Sequence, residues 1–423
     1  MSNTYRSIMN WHKLTITLLI LFMMFGCSPV NVTPSIQVSP TETKATATTL
    51  PVPSVTVVPS VTLEPDFPVG CTNLRDTPLN TDVLNGLLVV YDFDNNSDHF
   101  FDPELNQVLS IEEKKQITSF ASASEFISAY ISPNKKHLQA YFIDKNYGMI
   151  RTIDQVIKTY DTHGQEDWNR GRWLDNERMF FQYWAYPNGN TIVIYNPFTG
   201  EQKNMQLDLP NPYIVNESLG KVAWVRADID PTLKRVLYND KDERLVLWDL
   251  DTKKEIASLP SPTDVTEGRW SPDGKEFAIP SPSTIDALNE LFIIDMDGTV
   301  KMTSFNQKYP FANVSTRPSW SPDGRRIAFW LEVSNIANAD PKTLRQWLAI
   351  IDTTTLDTQI YCLSPNKAPT GGGHIVWSPD STQVIVNTDV LSEEVKPVLV
   401  DLTHLTQFTL DTHGLSVSDW MSP

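Results

Sequence analysis

From about residue 86 to the last residue, apolar and polar positions alternate in short runs broken by turn residues. Runs of roughly four to eight alternating residues read as half-buried β-strands. The clearest unit is a ten-residue phrase written three times: WSPDGKEFAI at 270–279, WSPDGRRIAF at 320–329 and WSPDSTQVIV at 377–386. Ser271, Pro272, Asp273 and Gly274 match the residue preferences of a type I turn. Trp270 ends a strand before that turn, and Phe277 and Ile279 alternate on the strand after it. The phrase therefore predicts a hairpin with a large aromatic at its base. Turn carboxylates usually cap their own backbone, so the aspartates are assigned to the turn rather than to catalysis.

Weaker copies begin at Ile131, Trp173 and Ile229, and the final WMSP begins a truncated copy at Trp420. Between them runs a second series, an apolar strand ending in Asp or Asn before a polar turn. Its markers are Asp102, Asp161, Asn196, Asp249, Asp295, Asp352 and Asp401. One hairpin from each series makes a four-stranded sheet, strands a to d, and repetition at this spacing signals a ring of small antiparallel sheets. The predicted fold is all-β, a seven-bladed β-propeller, with six blades as the alternative. No WSPDG phrase precedes Asp102, and the C-terminal LSVSDWMSP is left over. The C-terminus is therefore expected to supply strand a to the sheet begun by residues 86–111, closing the ring.

The WSPDG phrase followed by a basic residue and an apolar strand resembles the repeat of TolB-like β-propellers. Trp270–Gly274 and Trp320–Gly324 match it fully, and Ser381 replaces the glycine in the third copy. LWDLDTKK is similar to the strand-c ending of WD repeats. The resemblance covers residues 86–423 and implies an extracytoplasmic binding platform rather than a catalyst. TolB-like proteins usually have six blades and a separate N-terminal domain, so their own partners are not carried over.

The N-terminus is of a different material. Residues 1–26 carry Arg6, His12 and Lys13 before the apolar run LTITLLILFMMFG. That run is too short to span a bilayer and reads as a signal peptide. MFGC resembles the bacterial lipoprotein box, which makes Cys27 the expected lipidated residue. Residues 27–70, rich in Thr, Pro and Ser, lack the large apolar groups that offset ordering entropy and are expected to form a disordered stalk. The propeller domain is assigned to 71–423, and the chain to the bacterial cell envelope, held on its membrane by the lipid. With Cys27 lipidated, Cys71 and Cys362 remain in an oxidising compartment. They invite a disulfide, the alternative being two separate thiols.

Charge adds an exclusion. Asp and Glu outnumber Lys and Arg 51 to 34, a formal net charge of −17, which leaves no surplus to neutralise phosphates and argues against nucleic acid. Candidate chemistry lies in the b–c and d–a connections, where irregular loops ride on a rigid scaffold. Trp168, Tyr183, Trp184 and Tyr186 cluster as a stacking surface for a sugar or peptide. His374 follows three glycines at the start of an inner strand. Asp92, Asp94, Asn96 and Asp98 space like the first half of a calcium loop, but Ser97 and Pro103 stand where that loop needs Gly and Glu, so a solvated acidic turn is favoured. No other cofactor is expected. No G-x-S-x-G, H-E-x-x-H or phosphate-binding glycine loop occurs. The favoured function is binding of an envelope or extracellular protein, peptide or glycan; the alternative is a propeller lyase or hydrolase acting on polysaccharide or peptide.

Overall fold

The computed structural model describes residues 71–78, 84–92, 97–101, 128–142, 147–152, 156–161, 172–183, 191–216, 223–259, 263–284, 287–309, 312–315, 317–333, 345–363, 374–388, 396–412 and 414–422. The signal, lipidation and stalk expectations fall outside them.

The fold is an all-β propeller. Six sheets have four or more described strands. We number these blades I to VI: 128–161, 172–206, 227–259, 269–302, 312–362 and 375–409. Within these ranges, strands pair antiparallel with near neighbours in sequence. A further sheet has three described strands and joins distant parts of the chain: Ser416–Met421 pairs with Leu87–Asp92, which pairs with Ser97–Phe101. Six complete blades correspond to the alternative count. The seventh sheet of the favoured count is this seam, with three described strands; residues 102–127 lie outside the described residues.

The sheets bury both faces, which explains why the apolar runs alternate so weakly. In blade IV, Phe277 and Ile279 pack with Leu237 and Leu247 of blade III. Ala278 and Ile293, on the opposite face, pack with Trp320 and Ile327 of blade V. Similar apolar slabs lie between blades II and III, between V and VI, and between VI and the seam. The core is thus a set of slabs between neighbouring sheets.

The repeated phrase builds the turn it predicts. Gly274 N–H donates to Ser271 O at 2.8 Å, and the Ser271 hydroxyl donates to Asp273 and accepts from the amides of Lys275 and Glu276. Gly274 sits at φ 70°, and a Cβ there would meet the Pro231 ring of blade III at 2.5 Å, so glycine serves both conformation and packing. Ser381 takes the same left-handed conformation at φ 66°, a strained choice for a residue with a side chain. The tryptophan joins blades. Trp320 Nε1 donates to Arg269 O of blade IV at 3.0 Å, and Trp377 Nε1 to Ser319 O of blade V at 2.8 Å.

Three features depart from expectation. Asp161 does not end a strand c: Tyr147–Arg151 takes that place and Val156–Asp161 is the outer strand of blade I. The second series slips there because IKTYD has the same apolar-then-Asp shape as a strand c. Ile214–Asn216 pairs antiparallel with Ala223–Val225, in the connection from blade II to III. Finally, Thr72–Asn73 pairs in parallel with the outer strand of blade V, and Arg75–Asp76 with that of blade VI. Cys71 is disulfide-bonded to Cys362, with Cα atoms 5.5 Å apart.

Candidate functional site

The inner strands surround a cavity of about 740 Å³, to which all six blades and the seam contribute. Its wall follows the repeat register. Counting back from the first residue of each turn phrase, the position one before supplies Asp228, Arg269, Ser319, Val376 and Asp419. The position three before supplies Glu267, Arg317 and His374. These last three stand where the inner strands of blades IV, V and VI follow the d–a connections, while Lys135, Pro272 and Pro322 bring the opposite a–b turns to the same cavity. Trp173, Trp270 and Trp320 add aromatic surface.

Opposite charges pair across blade boundaries. Arg317 forks onto Glu267, Nε to Oε2 and Nη2 to Oε1, both at 3.0 Å. That hydrogen-bonded fork holds the Glu267 carboxyl below its ordinary pKa against the opposing pull of burial, and raises Arg317. Lys135 Nζ, from the a–b turn of blade I, meets Asp419 Oδ1 of the seam at 2.7 Å. Arg269 Nη1 donates to Gly268 O at 2.6 Å. His374 is open to the cavity yet surrounded by protein. Its pKa is lowered first by that burial and then by the positive charges of Arg317 and Arg269, with Asp419 opposing. The imidazole is therefore neutral at neutral pH and offers one donor and one acceptor.

This wall carries both signs of charge, neutral polar groups and indole faces on elements locked by sheet packing. Such a surface suits recognition of a polar, extended ligand. Among the described residues, no group of three or more His, Cys, Asp or Glu converges as a metal site.

Of the sequence candidates among the described residues, His374 lines the cavity. Tyr183 is the last residue of the strand Met179–Tyr183, at the entry to the b–c connection of blade II. Trp168, Trp184 and Tyr186 lie outside the described residues, as do Asp94 and Asn96. Asp92 and Asp98 lie on paired strands, Asp92 opposite Ser97 and Asp98 opposite Tyr91; 97–101, the second half of the calcium-like spacing, is strand. Glu267, Arg269, Arg317, Lys135 and Asp419 were not singled out. The signal for most of them was present: positions one and three before each phrase are where an inner strand meets the channel.

No protein-family model and no curated protein sequence matches the chain. Solved structures similar to it include TolB from Acinetobacter baumannii, 14% identical with a TM-score of 0.38 over 77% of this chain and 79% of that one. The β-propeller domain of Myceliophteria thermophila Cps50 (Swd1) is 10% identical with a TM-score of 0.41, over 75% and 96%. Kuenenia stuttgartiensis hydrazine synthase is 11% identical with a TM-score of 0.38, over 65% and 76%. Identities and scores this low transfer no ligand and no activity.

Proposed function

We propose that this chain is an extracytoplasmic β-propeller, anchored through a lipid on Cys27, that binds an envelope or extracellular protein, peptide or glycan. The ligand enters the channel from the side of the b–c and d–a connections. The observation that carries this reading is the cavity wall itself: blades IV to VI and the seam each place a polar group at a repeat-defined position around one space. A propeller holds these groups on strands buried from both faces, so little ordering remains to oppose binding.

The test is equilibrium binding of the purified mature chain to arrays of envelope-derived peptides and glycans. Arg269→Ala is expected to weaken the bound class at least about tenfold, and Trp184→Ala to weaken it less, both with unchanged melting. Binding that survives both substitutions at full strength opposes the reading. The anchor is tested apart from the ligand: Cys27→Ser is expected to abolish palmitate incorporation and membrane retention, and label still entering that variant overturns the lipid assignment.

A further inference from the structure

We infer that residues 71–78 are a redox-released strap, which fastens the N-terminal chain to the outer rim of blades V and VI and lets go when Cys71–Cys362 is reduced. The strap lies on two neighbouring sheets as a fifth strand. On blade V, Thr72 is opposite Tyr361 and Asn73 opposite Cys362. On blade VI, Arg75 is opposite Thr406 and Asp76 opposite Gln407. The non-covalent hold is thin. Each pairing is two residues long. Arg75 N–H donates to Leu405 O at 3.0 Å and Thr77 N–H to Gln407 O at 3.2 Å. Asn73, Arg75, Asp76 and Pro78 are exposed, and only Leu74 and Cys71 pack partly against apolar clusters. Short, exposed edge pairings of this kind open locally without the sheet behind them.

The covalent hold is of another order. The disulfide ties Cys71 covalently to Cys362. It keeps the strap beside its two edges even when the backbone bonds break. Both cysteines are only half-buried, so a thiolate reaches the bond without disturbing the slabs between blades. A dithiol reductant attacks one sulfur, forms a mixed disulfide and resolves it with its second thiol. Two electrons and two protons pass to the protein, giving two cysteine thiols, and the reductant leaves as its own cyclic disulfide.

Release moves the point from which the ring hangs. With the bond intact, the N-terminal chain joins the ring at Cys362 on blade V. With the bond reduced, the junction shifts to residue 84, where the chain enters the seam sheet. Release also strips the parallel partner from Thr358–Cys362 and Thr406–Thr409, leaving two outer edges open to other strands.

The experiment is residue-resolved hydrogen exchange on the full mature chain, oxidised and after dithiothreitol. Exchange at the Arg75 and Thr77 amides is expected to accelerate about a hundredfold or more on reduction, while Ile385 and Leu399 in the middle of blade VI keep their protection. Cys362→Ser without reductant is expected to give the same pattern, which separates bond loss from side effects of the reagent. Unchanged protection at Arg75 and Thr77 overturns the proposal, because the backbone pairing would then hold the strap by itself. Loss of protection at Ile385 and Leu399 together with the strap also overturns it, because the bond would then hold the ring and not the strap.

Discussion

Blade IV and the seam sheet share one hydrogen-bond pattern and reach it by opposite routes. In blade IV, Trp270 pairs with Phe277 and Ile279 with Phe292, every partner a hairpin neighbour. In the seam, Leu88 pairs with Trp420. In the local blade, Trp270 is partly exposed, and among the described residues its indole N–H has no hydrogen-bond partner. The seam strand is held from three sides. Trp420 Nε1 donates to Asn85 O at 2.9 Å. Val417 and Asn387 of blade VI exchange two bonds, Nδ2 to O at 2.7 Å and N to Oδ1 at 2.8 Å. Ser422 N–H donates to Lys135 O of blade I at 2.7 Å, beside the Lys135–Asp419 ion pair. The lesson is that a strand brought in from far along the chain is held by bonds to several separate parts of the ring as well as by its ladder.

Removing the seam strand is the strongest way to break this contrast. Deleting residues 412–423 unpairs Leu87–Asp92 along its inner edge and frees the contacts to blades I and VI. The expected outcome is aggregation or loss of cooperative melting, seen by calorimetry and size-exclusion chromatography. A truncated chain that stays monomeric and melts like the parent would make the C-terminus a dispensable tail.

Single tryptophans sharpen the contrast by degree. Trp377 and Trp420 are each 1% exposed, and each indole N–H is bonded outside its own hairpin. Trp377→Ala and Trp420→Ala are expected to cost about 3–5 kcal/mol. Trp320, slightly more exposed, should fall at the lower end of that range, and Trp270→Ala should cost about 1–2 kcal/mol, since less area and no hydrogen bond are lost. Urea denaturation of the four variants checks the order. Trp270→Ala equal to Trp420→Ala would show that the phrase, not its place in the ring, sets the energy.

The smallest effect belongs to the blade turns. Burial opposes ionisation of Asp273, but hydrogen bonds from Lys275 and Ser271 outweigh it and hold the carboxyl below its ordinary 3.8. Asp380 is lowered in the same way through Ser378 and Thr382, and Asp352 chiefly by the Thr355 amide. A carboxyl lowered on folding stabilises the folded state above its unfolded pKa and ceases to do so as pH falls through the folded one. Stability should therefore decline below about pH 4, with Asp273→Asn slightly flattening the dependence of melting temperature on pH. An unchanged slope would remove Asp273 from the account.

Much of the ring was legible because a turn has local chemistry: Ser-Pro-Asp-Gly announces itself wherever it stands. The seam was legible by remainder, since LSVSDWMSP had no partner nearby. Asp161 misled because a strand ending in Asp looks the same at positions c and d. The strap was invisible, because two-residue strands of Thr, Asn, Arg and Asp carry no period. The pair Ile214–Asn216 and Ala223–Val225 lies in a connection, where no repeat sets an expectation. The cavity wall was half legible. His374 was noticed for its glycines, whereas Glu267, Arg269 and Arg317 look like ordinary surface charges until the register places them on inner strands.

The Trp420 indole and the Asn85 carbonyl that receives it are 335 residues apart. A chain emerging N-terminus first makes Leu87–Asp92 early and its inner partner last. Blades I to VI gain their ladders from neighbours already present, but the seam waits for Ser416–Met421. Non-local pairing of this kind is slow and leaves an apolar edge open meanwhile. The ring therefore closes only once Ser416–Met421 has been made, and any copy lacking that strand carries its own defect as an exposed edge.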